Sequence, residues 1–308
     1  MSIFSRLPLL AFGLMLASPS WASDPIPVTA TFSLLGDLVK QVGGDKVKVS
    51  TLVGPDGDAH VYQPTPQDVQ ALSKARVLVS NGLGFEGWLE RLDQASGFKG
   101  VKVVASTGVK ARHLAEEGHD EEGHHEEAHH HHGSQDPHAW NDPLNVLTYV
   151  DNIAAGLGKV DPENAALYGA NAASYKAQIT SLDMRYKLEF AKLPEERRRA
   201  ITSHDAFGYL AAAYHLNLLA PQGMSTDAEP SAAQVAALIR QIRSQKIPAL
   251  FVENISDPRL IEQISRETGV KVGGKLYSDA LSPADGPAAS YLAFVDHNLS
   301  TLLAALKP

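Results

Sequence analysis

Residues 161–190 read DPENAALYGANAASYKAQITSLDMRYKLEF, and this stretch decides the fold. Asp161-Pro162-Glu163 is a helix-start signal, with proline where its missing N–H is harmless. Leu167, Asn171, Tyr175, Ile179, Leu182, Tyr186 and Phe190 then recur at steps of three or four residues, one face of an α-helix. The pattern stops before Pro194. It predicts a helix of roughly 28 residues, ~42 Å long at 1.5 Å per residue.

On either side the chain repeats one grammar. Upstream, short apolar runs at 27–31, 46–53, 76–80 and 101–105 read as strands, and 33–41, 66–75, 86–94 and 143–157 as helices. Downstream, strands are expected at 200–203, 216–220, 249–253 and 270–277, with helices at 206–214, 231–245, 258–268 and 288–306. Strands alternating with helices imply parallel sheets. The expected architecture is α/β: two lobes, each a parallel β-sheet flanked by helices, joined by one long rigid helix. The first lobe covers 23–160, the linker 161–193 and the second lobe 194–308.

Residues 1–22 stand apart. Arg6 precedes an apolar run at 7–16, and Ser20-Trp21-Ala22 is a small-x-small cleavage site, the pattern of a cleavable export signal. The run is too short for a bilayer that needs ~20 apolar residues. The sequence contains no cysteine, so neither a disulfide nor a cysteine-linked lipid is expected. These features predict a soluble, unanchored periplasmic protein, expected as a monomer.

The formal charge is −8, but seven carboxylates lie between His113 and His132, where there is no lysine or arginine. The rest of the chain is near neutral, and no basic face for nucleic acid is indicated. The same segment, within a loop at 112–135, holds eight histidines: His113, His119, His124, His125, His129, His130, His131 and His132. Almost nothing in it can enter a core, whereas imidazole and carboxylate both ligate zinc. It is expected to bind metal weakly and at several places.

Four side chains have more definite addresses. His60 and His138 follow strands of the first half; His204 and Asp279 follow strands of the second. Open α/β sheets bind ligands at the carboxyl ends of their strands, so two facing sheets would bring all four into one cleft. Three imidazoles and a carboxylate complete a four-coordinate zinc site. A lone histidine after a strand is more often a solvated loop residue, and His215 and His297, read as lying within helices, illustrate that bland case.

The sequence around the four is more specific. Gly54-Pro55-Asp56-Gly57-Asp58-Ala59-His60-Val61-Tyr62-Gln63-Pro64-Thr65-Pro66 resembles the H-x-Y-x-P-T-P motif of cluster A-I solute-binding proteins, the metal-binding components of ABC uptake systems. Asp136-Pro137-His138-Ala139-Trp140 resembles the D-P-H-x-W motif of that family, and Ser203-His204-Asp205-Ala206-Phe207-Gly208-Tyr209 its H-D-A-F-x-Y motif. Tyr277-Ser278-Asp279-Ala280-Leu281 resembles its short aspartate motif. The likeness runs over the whole mature chain in the right order.

It implies two α/β lobes on a long helix, with metal held between them by His60, His138, His204 and Asp279. It implies delivery to an ABC transporter permease, with a zinc-donating periplasmic protein as a possible second partner. Manganese-type relatives place a carboxylate where His204 stands, so the resemblance points to Zn2+ as the transported ion. Three rival readings stand beside it: a zinc hydrolase, a manganese or iron receptor of the same fold, and an interaction protein such as a surface adhesin. No His-Glu-x-x-His helix, Gly-x-Ser-x-Gly elbow or P-loop occurs, and four protein ligands leave no open water position, so no enzyme activity is expected.

Overall fold

The computed structural model describes residues 24–113 and 135–308. The export signal and seven of the eight loop histidines (His119, His124, His125, His129, His130, His131 and His132) lie outside the described residues; His113 lies inside them.

The first lobe contains β1 (Ile26–Phe32), α1 (Ser33–Gly43), β2 (Val47–Val53), α2 (Pro66–Lys74), β3 (Val77–Ser80), α3 (Leu89–Ser96), β4 (Val101–Val104) and α4 (Pro143–Val160). Its four strands are all parallel, in the order β2-β1-β3-β4. The second lobe contains β5 (Arg199–Ile201), α6 (Gly208–Tyr214), β6 (Asn217–Leu219), α7 (Ala232–Gln245), β7 (Leu250–Glu253), α8 (Arg259–Thr268), β8 (Val272–Leu276) and α9 (Tyr291–Leu306). Its sheet, β6-β5-β7-β8, is again parallel and repeats the order of the first. In both, the chain reverses its direction of travel across the sheet beside the first strand, and α/β sheets bind ligands at such switch points.

Local chemistry explains the element ends. Thr65 caps α2 through a reciprocal capping box with Asp68, with Pro66 at the first helical position. Ser231 and Gln234 do the same for α7. Asp142 caps α4 by accepting from Leu144 N–H at 2.9 Å.

Between the lobes runs α5 (Ala165–Phe190), 26 residues and so shorter than expected. Its first turn is a separate 3-10 segment, Pro162–Asn164. The expected stripe holds at Tyr175, Ile179, Tyr186 and Phe190, but Asp183 is buried where Leu182 was expected, and before Tyr175 the stripe is one position out: Tyr168 and Ala172 are buried, whereas Leu167 is 39% exposed. Asn171 is no core residue; its amide donates to Val42 O at the end of α1. Nor is α5 a bare strut. It packs on α1 and α4 of the first lobe and on α6 and α9 of the second. Tyr175 OH meets Asp37 of α1, Tyr186 OH donates to Asp296 of α9, and the buried Asp183 accepts from Tyr214 OH of α6. Each lobe is thus bonded to the same helix.

Candidate metal centre

Each half supplies two of the four side chains from segments beyond strand ends. His60 stands in the turn after β2, His138 in the segment before α4, His204 just after β5 and Asp279 just after β8. One ligand atom from each lies within 4.8 Å of every other. His60 Nε2 is 3.2 Å from both His138 Nε2 and Asp279 Oδ2. His204 Nε2 is 3.2 Å from Asp279 Oδ2, and His138 Nε2 is 3.8 Å from Asp279 Oδ1. A tetrahedral ion with bonds of ~2.0–2.1 Å needs donor separations of about 3.3 Å, close to these values.

The site is dry. His138, His204 and Asp279 have no exposed surface, and the His60 side chain is 6% exposed. Phe85 closes one wall, edge-on to His60 and against Trp140, which in turn packs on Phe32. Despite complete burial, His204 Nε2 and both oxygens of Asp279 lack hydrogen-bond partners. Buried polar atoms are ordinarily paired. These converge on one point, as a cation between them requires.

Two carboxylates behind the imidazoles fix their rings. Asp136 Oδ1 faces His138 Nδ1 at 2.8 Å and also accepts from the His138 backbone N–H at 3.0 Å. Glu253 Oε2 faces His204 Nδ1 at 2.5 Å, while its Oε1 accepts from the N–H groups of Ser203 and His204. With Nδ1 engaged, each Nε2 is left to face the centre, the arrangement that orients metal-bound histidines. Burial alone would discharge His204, but Glu253 and Asp279 override it and hold the imidazole well above its usual pKa. Burial likewise opposes ionisation of Asp279, and the neighbouring His204 and His138 outweigh it, holding the carboxyl well below the usual range.

The ligand segments are also tied to one another across the cleft. Trp140 Nε1 donates to Ser278 O at 2.8 Å, and the Asn141 amide to Ala206 O at 3.1 Å. Asp56 N–H donates to Leu281 O, and the Asn254 amide returns to Asp56 Oδ1, both at 2.9 Å. Asp58 holds His60 N–H with one oxygen and Thr226 OH of the second lobe with the other. Gly208 permits a close approach here, since a Cβ would lie 2.8 Å from Asp136 Oδ2.

All four expected residues therefore meet. Of the loop histidines, His113 forms an antiparallel bridge with Gln135 at the loop base. His297 is in α9, as expected, and contacts Lys275 O, but His215 is not within a helix: it is the left-handed residue that ends α6. The sequence reading assigned no role to Asp58, Asp136 or Glu253. Glu253 left a detectable signal, a carboxylate closing the apolar strand run Ala249-Leu250-Phe251-Val252.

Comparison with known proteins places this geometry. The family model described as zinc-uptake complex component A, periplasmic, matches residues 28–305. Iron-binding protein YfeA of Yersinia pestis is 32% identical over 92% of this chain and 88% of its own length. The manganese ABC transporter substrate-binding lipoprotein scaA of Streptococcus gordonii is 30% identical over 93% and 90%. Among solved structures, the periplasmic zinc-binding protein TroA of Treponema pallidum superposes with a TM-score of 0.83 at 29% identity, covering 92% of this chain and all of its own (100%). It shares the two-lobed α/β fold described above. Among the described residues no helix is long and apolar enough to cross a membrane. The chain belongs to the zinc-uptake complex component A family, the periplasmic substrate-binding components of metal ABC transporters, which carry a divalent metal to a permease and are not enzymes.

Proposed function

We propose that the transported ion is Zn2+, bound by His60, His138, His204 and Asp279 and handed from the cleft to the permease. Relatives named for iron, manganese and zinc leave the cation open. The observation that carries the choice is the donor set: three imidazole nitrogens and one carboxylate converge in a site without exposed surface at three of its four residues. Imidazole-rich sites suit zinc, whereas manganese prefers shells dominated by oxygen, and zinc stands above manganese and iron in intrinsic affinity for nitrogen ligands. The test is dialysis of the metal-free protein against equimolar Zn2+, Mn2+ and Fe2+ under anaerobic conditions, followed by metal analysis. One zinc per chain is expected; retention of manganese or iron in its place refutes the choice of ion.

The histidine-rich segment serves on this reading as a collector. Ordering a free chain around an ion costs about 1–2 kcal/mol for each residue fixed, which the cleft ligands largely escape. Loop sites should therefore be weaker and less selective. Deleting residues 113–132 should leave the tight zinc in place and slow its acquisition from scarce sources. Loss of the tight site on deletion would make the loop a primary ligand instead.

A further inference from the structure

His138 lies in a short segment, 136–141, that the second lobe grips at both ends. At the far end the Asn141 amide donates to Ala206 O at 3.1 Å. At the near end Tyr209 OH donates to Asp136 O and accepts the Arg112 N–H, both at 2.9 Å. Asp136 N–H in turn donates to Arg112 O at 2.9 Å, so one hydroxyl pins two backbones that are already bonded to each other. Both grips come from residues 206–209, the stretch directly after the ligand His204. Tyr209 is 4% exposed, and its ring belongs to the core that the lobes share.

What these bonds fix is the Asp136 carboxylate. Its Oδ1 faces His138 Nδ1 at 2.8 Å, and an ionised carboxylate only accepts, so that nitrogen carries the proton and Nε2 is free for metal. Its Oδ2 lies against Gly208 of α6, where a Cβ would come within 2.8 Å of it. A side chain at 208 would therefore push the carboxylate aside. The support of His204 is built otherwise. Glu253 ends β7 in the same lobe as His204, and its Oε1 takes the backbone N–H groups of Ser203 and His204. Asp136 belongs to the first lobe and is seated by the second.

We infer that Tyr209 is a positioning residue of the metal centre: its hydroxyl, with the bare Cα of Gly208, seats Asp136 so that the His138 ring presents Nε2 to the centre. The aim of His138 then depends on contact between the lobes, whereas that of His204 does not. When the lobes part, His138 is the ligand that loosens first. The inference rests on the four-residue reading of the site and holds for whichever cation fills it.

Two measurements on the full chain test it. In the first, proton–nitrogen correlations of the histidine rings are recorded on metal-free protein, with His138 assigned through His138→Ala and His204 through His204→Ala. Tyr209→Phe keeps the ring and deletes the hydroxyl. It should broaden or shift the His138 Nδ1 proton and spare that of His204; both unchanged, or both altered alike, overturns the inference. In the second, zinc affinity is measured by competition. Tyr209→Phe should lose about fivefold, the worth of one hydrogen bond. It should lose nothing further in an Asp136→Ala background, where no carboxylate remains to be seated. A loss that persists there in full would make Tyr209 a tie between the lobes and not a positioning residue. Gly208→Ala keeps the hydroxyl and displaces the carboxylate from the other side, so it should reproduce both results. It decides the matter if the phenylalanine variant does not fold, and failure to reproduce either result overturns the seat. Unchanged zinc affinity in His138→Ala would defeat the four-residue reading instead; the ring signal in Tyr209→Phe would still report whether the tyrosine sets His138.

Discussion

In the first lobe, buried side chains of β1 and β3 run without a break into α1, α4 and α5, forming one core that includes Phe32, Val79, Val150 and Ile153. In the second lobe the sheet divides its allegiance. Ala200, Phe251 and Leu276 join that same core with α6 and α9, whereas Ile201 and Leu250 face away and pack with Leu238, Ile239, Ile242, Ile247, Ile261 and Ile264. This second cluster has no aromatic residue and joins only strand ends to α7 and α8. Two sheets with one strand order thus differ in how firmly their helices are held. His204 leaves β5 between the two clusters, and a cavity beside it is walled by α8. The teaching is that the metal site sits where a stable body meets its least anchored layer.

The ligands themselves should show the largest effects. Alanine at His138 or at His204 removes one of four donors and should weaken zinc binding by at least a hundredfold in competition titrations. The two should differ in the metal-free state. His138→Ala leaves Asp136, whose side chain is 5% exposed, with the backbone N–H of residue 138; His204→Ala leaves Glu253, whose side chain has no exposed surface, with the backbone N–H groups of residues 203 and 204 but without its imidazole partner. A single partner removed from a buried pair costs several kcal/mol. His204→Ala alone should therefore lower the melting temperature markedly; equal melting of both variants would remove this asymmetry.

Core truncations compare the layers next. Ile153→Ala and Ile264→Ala each delete a fully buried side chain, at about 2–5 kcal/mol. Ile153→Ala should lower global stability. Ile264→Ala should instead release α7 and α8 early, seen as faster amide exchange confined to residues 232–268. Uniform loss of protection in both variants would make the molecule one cooperative unit and dissolve the distinction.

A smaller contrast lies behind the rings. Replacing Glu253 by Gln keeps an acceptor but removes the charge facing His204, and Asp136→Asn does the same for His138. Losses of roughly 10–100-fold in metal affinity are ordinary for such partners. Glu253 has no exposed side-chain surface and Asp136 5%, so Glu253→Gln should be the more severe. The reverse order would show that His138 contributes more to the bond than His204.

Much of this was legible beforehand because the signals were local. Strands declared themselves by apolar runs, and the four candidate ligands by the motifs around them. What escaped was information carried by distant residues. Glu253 is 49 positions from His204, and no spacing rule links them. The N-terminal half of α5 misled for a different reason: Leu167 satisfies helical periodicity, but the partner surface is offered to Tyr168, whose hydroxyl reaches Asp161 at 2.7 Å. Periodicity says that one face is buried; only the neighbours say which.

Glu86 offers a test confined to the first lobe. It is enclosed, accepts from Thr31 OH at 2.7 Å and from Asn81 N–H at 2.6 Å, and burial nonetheless pushes its carboxyl above the usual value. A raised folded pKa contributes stability that is full below the unfolded value near ~4.3 and is lost as pH rises through the folded one. Melting of the metal-free protein should fall over that rise, and Glu86→Gln should flatten this part of the profile. An unchanged slope would assign it to other groups.

The smallest effect expected concerns how the two lobes are latched. Thr226 donates to Asp58 Oδ2 at 2.6 Å, and Asp58 Oδ1 takes the backbone N–H of His60 at 2.9 Å. One carboxylate thus ties a ligand segment of the stable lobe to the 222–230 segment, which leads into α7 of the weaker layer. Thr226→Val removes the cross-lobe bond and keeps the shape of the side chain, while Asp58 still holds His60. A part-buried hydrogen bond of this kind contributes about 1 kcal/mol, roughly fivefold in a rate. Because His60 stays fixed, zinc stoichiometry should be unchanged, and the effect should appear in dissociation, measured by transfer to a chromogenic chelator. Thr226→Ser should restore the slow rate, since it returns the hydroxyl. A Thr226→Val protein that releases zinc at the original rate would mean that the α7–α8 layer plays no part in holding the cleft shut, and that Trp140, Asn141 and Asp56 carry that task without it through their bonds to Ser278, Ala206 and Leu281.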